Sequence, residues 1–135
     1  MFLPPKELFE EFVLRAREDA ARMTDVVLAW EEGRLSEEEK NAVLRTADML
    51  EGDSGLMGFL SLSRLARALG RTLAKANGAA TGLSRERADL ILQALDTLCL
   101  LVESGTENGS GDDAIPVAVR ERAAAQEAQL IALVL

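Results

Sequence analysis

Two carboxylates and a row of guanidinium groups are the side chains of this sequence with chemistry to offer. Asp48 and Glu51 stand three residues apart in Thr46-Ala47-Asp48-Met49-Leu50-Glu51-Gly52-Asp53-Ser54-Gly55-Leu56-Met57-Gly58-Phe59. On a helix, that spacing puts both on one face. The pair offers a fixed negative charge, an altered docking surface, or, with Asp53, oxygen ligands for a cation. Two or three carboxylates on a helix surface usually hold only water. Arg64, Arg67, Arg71 and Lys75 follow at spacings of three, four and four, and residues 61–77 contain no acid. One helix face then carries a basic stripe that could steer an acidic partner. The plainer reading is a solvated face whose ion pairs contribute little.

Other chemistry is excluded by what is missing. The chain has no histidine, so it can build neither a serine–histidine triad nor a histidine-ligated metal or haem. No phosphate-cradling glycine loop ending in Lys-Ser/Thr occurs. Ser54 and Ser63 have no base partner. Cys99 is the single cysteine, which rules out an intrachain disulfide and a multi-cysteine metal site. Its neighbours Leu98, Leu100 and Leu101 predict a buried, unreactive thiol. No cofactor, no metal and no catalytic residue are expected, and the chain is not read as an enzyme.

The elements that must position these side chains are helical. After Pro4-Pro5, the residues Leu8, Phe9, Phe12, Ala16, Ala20, Met23, Val27 and Trp30 recur at three and four and predict a long amphipathic helix ended by Gly33. Ser36-Glu37-Glu38-Glu39 is a capping box that opens a second helix to about Asp53, with Val43, Leu44, Ala47 and Leu50 inward. Gly52, Gly55 and Gly58 are expected to close it in a tight turn. A third helix is predicted over 61–77, burying Leu62, Leu65, Ala66, Leu69 and Leu73. Ser84 caps a fourth, with Ala88, Ile91, Leu95, Leu98 and Val102 inward. The glycine-rich stretch 103–113 reads as a mobile loop, and 114–135 as a fifth helix whose apolar finish (Leu130, Ile131, Val134, Leu135) needs covering. Together these predict an all-α chain: an antiparallel up-down four-helix bundle with a fifth C-terminal helix, in one domain over 1–135 with its core at about 5–104.

Composition narrows the partners. A net charge of −8 repels phosphate backbones and anionic lipid, so nucleic acid and membrane surfaces are poor partners. No segment approaches the ~20 apolar residues of a membrane span. The amino terminus lacks the pattern of a signal peptide, so a cytoplasmic location is expected.

The 46–59 segment resembles the phosphoacceptor helix of histidine phosphotransfer (HPt) domains, especially the amino-terminal domain of CheA-type chemotaxis kinases. That family's pattern is His-x-x-Lys-Gly-x-x-x-x-x-Gly. Gly52 and Gly58 fall on its glycines, Asp48 on the histidine and Glu51 on the lysine. The resemblance is specific over residues 47–59 and extends by helix order over about 5–104. It implies a four-helix bundle with the site on the outside of the second helix, and a fifth helix in CheA-type members. In the family, that histidine relays a phosphoryl group to a receiver aspartate, and the glycine after the lysine leaves room for the receiver. Asp48 is a weaker nucleophile than imidazole. Asp48 and Glu51 also sit where a phosphoryl group of about −2 charge would have to go, at a cost of about 1 kcal/mol per pair in water.

The resemblance therefore implies a degenerate domain, a non-catalytic protein-interaction module in bacterial two-component or chemotaxis signalling. Its partner would be a receiver (response-regulator) domain or a histidine-kinase component. The docking surface would surround Asp48 with Glu51, Gly52, Gly55, Gly58, Arg64, Arg67 and Arg71. The acid pair would then be neutral drift, a mimic of phosphohistidine, or a surface remade for another partner. The alternative is a structural or oligomerising bundle unrelated to phosphorelay. The apolar carboxy-terminal end also suggests the first domain of a longer chain.

Overall fold

The computed structural model describes residues 6–79, 82–107 and 111–134. Pro4, Pro5, Gly109 and Leu135 lie outside the described residues. Within those residues the chain is all-α: α1 (Lys6–Glu31), α2 (Glu37–Leu56), α3 (Leu60–Asn77), α4 (Arg85–Glu107) and α5 (Val117–Val134), plus one 3-10 turn at Asp112–Ala114. No strand occurs among them.

Capping chemistry sets the boundaries. The Glu39 amide donates to Ser36 Oγ (3.1 Å) and the Ser36 amide to Glu39 Oε1 (3.2 Å), the reciprocal pair of a capping box. Ser84 Oγ accepts from the Arg87 amide (3.3 Å) at the start of α4. The Gly33 amide returns to the Trp30 carbonyl (3.0 Å) as α1 ends.

One apolar core joins the helices. Helix α1 packs on α2 and α4, α3 packs on α2 and α4, and α5 lies against α3 and α4. The inward rows of α3 and α4 are buried as expected. Leu8 departs from its row: it is exposed, and Val13 is buried on α1 instead. Ala123 and Leu130 turn α5 into the core, whereas Ile131 stays at the surface. Cys99 is only half-buried. Burial, with Glu103 and Asp96 nearby, raises its thiol above the ordinary value, so it stays protonated at neutral pH.

Two segments differ from expectation. Helix α2 does not stop near Asp53; it runs through Gly52 and Gly55 to Leu56. Intrinsic preference sets each in-helix glycine back by about 1 kcal/mol. Packing against α3 overrides that, and Ser63 Oγ of α3 donates to the Glu51 carbonyl (2.8 Å). Only Gly58, at φ +83°, makes the turn.

The described part of the expected loop over 103–113 is structured, while 108–110 lie outside the described residues. Helix α4 continues to Glu107, because Gly105 is where the helix backbone meets the Phe59 ring. A Cβ there would overlap the ring. Phe59 is fully buried, stacked on Phe9 and tilted against Phe12, both at 5.6 Å between ring centroids. Beyond α4, the Asp112 amide donates to the Gly58 carbonyl (3.0 Å). The Asp112 carboxylate accepts from the Ser61 amide (2.8 Å) and Ser61 Oγ (2.9 Å). Phe59, the residue before α3, has no side-chain cap to give. Asp112, 51 positions after Ser61, supplies the capping acceptor instead.

Candidate functional site

Helices α2 and α3 approach closely because small residues face each other. A Cβ at Gly70 would stand 3.4 Å from the Ala47 Cβ, in near contact. Above this floor of Ala47, Ala66, Gly70 and Ala74 runs a groove of about 450 Å³. Asp48 and Glu51 line one wall with Arg45, and Arg67 and Arg71 line the other. The two charge sets singled out by spacing thus share one groove. Among the described residues, none of Arg45, Arg67 and Arg71 forms an ion pair within 4.0 Å. The groove holds opposite charges that stay solvated and unpaired.

Arg67 and Arg71 also line a second groove of about 190 Å³ between α3 and α5, with Arg64, Glu127 and Ile131. The arginine row is therefore a ridge with a groove on each side. Lys75, the last residue of the basic stripe, is spent elsewhere: its Nζ donates to the Leu133 carbonyl (3.3 Å) near the end of α5.

Asp48 is exposed and Glu51 half-buried. Asp53, which spacing could have joined to them, turns to α1 and pairs with Arg15 at 3.6 Å. Asp48, Glu51 and Asp53 do not converge, and no cluster of three or more acidic or cysteine side chains able to hold a metal exists among the described residues. No nucleophile with an adjacent base lines the groove.

The glycines have separate jobs. Gly52 is exposed, and a Cβ there would meet nothing within 4 Å, so its bare surface is open to a partner. A Cβ at Gly55 would only touch Ser63 Oγ at 3.6 Å. Gly58 belongs to the turn. Sequence reasoning passed over Met49, Leu56 and Leu60, which are 60%, 76% and 53% exposed. Met49, Gly52 and Leu56 follow at three and four and share a face beside Asp48. The available signal was that both apolar side chains fall off the buried row of α2. That Arg45 and the small residues Ala47, Ala66, Gly70 and Ala74 share one groove was also missed, since a groove depends on two helices at once.

No helix among the described residues is long and apolar enough to cross a membrane. No protein-family model matches the chain.

Proposed function

We propose that the chain is a degenerate HPt-like domain of the CheA amino-terminal type, a non-catalytic docking module of two-component or chemotaxis signalling in the cytoplasm. Its partner is a receiver domain or a kinase component. One observation carries this reading: the position matching the phosphoacceptor, Asp48, is exposed on α2 beside an open Gly52 and a charged α2–α3 groove. The finer architecture belongs to the same reading: a single domain in which α1 to α4 form an antiparallel up-down bundle and α5 covers one side. The packing of each of the four helices on its chain neighbours, with α1 against α4, supports it.

The chemistry favours docking over transfer. A phosphoryl group on Asp48 would meet the like charge of Glu51 one turn away. Arg67 and Arg71 across the groove attract an acidic partner, and the exposed Met49 and Leu56 give it apolar surface to cover.

Calorimetry against a panel of receiver domains tests the proposal. Micromolar binding by the unmodified chain is the expected result. The double reversion Asp48→His, Glu51→Lys is the companion measurement. Binding by the reverted form alone would keep the ancestry and discard the docking role. Binding by neither would favour an oligomerising bundle. That second reading draws on Leu14 and Leu28, which are exposed on α1. Light scattering across a dilution series would expose self-association directly.

A further inference from the structure

The arginine ridge is bordered on both sides by acids. Asp48 and Glu51 stand across the α2–α3 groove, and Glu127 stands across the α3–α5 groove. Arg45 is the one base on the α2 wall. Among the described residues, Arg64, Arg67 and Arg71 pair with none of these acids within 4.0 Å. Each charge is solvated in the free protein, so covering the ridge strips water from both signs at once. A buried charge left without a partner costs far more than an exposed ion pair returns.

We infer that the ridge selects a partner helix with a matching pattern: a central line of acidic residues bordered on both sides by lysine or arginine. Arg64, Arg67 and Arg71 span two helical turns at three and four, so a helix laid along α3 brings acids to them at the same intervals. Its flanking bases then reach Asp48, Glu51 and Glu127. These three acids act as specificity-determining residues. A bare arginine row would attract any polyanion, including nucleic acid. The acids that line the same two grooves turn such chains away while meeting the flanking bases of the striped partner. This inference rests on the reading of the α2–α3 face as a docking surface and names the charge pattern of its partner.

Fluorescence anisotropy on the full chain at physiological salt tests it with three probes. These are a labelled helical peptide with a glutamate line bordered by lysines, an equally long helical peptide whose charged residues are all glutamate, and a single-stranded oligonucleotide. The unmodified chain is expected to bind the striped peptide at least about ten-fold more tightly than either polyanion, a difference of the size typical for complementary against mismatched charge. The variant D48N/E51Q/E127Q should lose that preference and gain affinity for both polyanions. The variant R64Q/R67Q/R71Q should lose all binding. Circular dichroism melts on both variants check that they remain folded. Equal or tighter binding of the all-glutamate peptide by the unmodified chain would overturn the inference. So would an unchanged preference in D48N/E51Q/E127Q, or no binding of the striped peptide. If receivers bind while the striped peptide fails, this inference falls and the proposed function stands. Striped-peptide binding without receiver binding removes the receiver reading alone.

Discussion

Helix α3 has two regions of opposite character. At its start, the Phe59 ring fills the space over Gly105, and Asp112 accepts from both Ser61 donors. Along its outer middle, Arg64, Arg67 and Arg71 stand in solvent without an ion pair among the described residues. The first region leaves little to change without loss of packing or hydrogen bonding. The second contributes almost nothing to holding the helix, and its side chains are free for another molecule. The contrast separates residues that make the fold from residues that the fold merely presents.

Substitutions can break or sharpen this contrast. Phe59→Ala should have the largest effect, a loss of about 3–5 kcal/mol of unfolding free energy, since it empties a fully buried aromatic site. Urea unfolding measures it, and a loss under 1 kcal/mol would dissolve the distinction. Asp112→Ala should remove about 1–2 kcal/mol, the usual cost of a lost cap with a charged acceptor. Amide exchange at Ser61 should accelerate while the middle of α3 stays protected. R64Q/R67Q/R71Q should leave the melting curve within about 0.5 kcal/mol of the parent per site, as surface changes do. A strong destabilisation there would mean the ridge is structural.

The smallest effect concerns Asp19. Burial raises its carboxyl above the ordinary value, against the opposing pull of Arg22 and Arg15. A raised carboxyl means that the native state prefers the protonated form. The contribution of Asp19 to stability is therefore full in acid and lost as pH rises through its folded-state value. Asp19→Asn, which imitates the protonated form, should match the parent below about pH 4. It should be slightly more stable at pH 7, by about 0.5 kcal/mol or less. Melting both proteins across that range checks the sign.

Much of this was legible in the sequence where the cause is local. Ser36-Glu39 and Ser84 announce helix starts within one turn. The rows Leu62-Leu65-Leu69 and Ile91-Leu95-Leu98 mark inward faces by spacing alone. The misreadings share a different cause. Glycine content at 52–58 and 103–113 suggested breaks, but Gly52 and Gly55 stay helical on the packing of α2 against α3, and Gly105 is needed by a ring 46 positions earlier. Asp112 was read as part of a mobile loop because its acceptor role lies 51 positions away. At the candidate site, Asp48, Glu51, Arg67 and Arg71 were visible as two separate stripes. That they face one another follows from Ala47 meeting Gly70, which no single-helix pattern reveals.

The cap on α3 also imposes an order during synthesis. Ser61 leaves the ribosome well before Asp112, and at ~5–20 residues per second the 51-residue gap lasts roughly 3–10 s. For most of that interval, the Ser61 donors stay uncovered and Phe59 lacks Gly105 beneath it. A premature stop before residue 105 would leave both defects permanent, exposing an aromatic cluster that quality-control proteases can recognise.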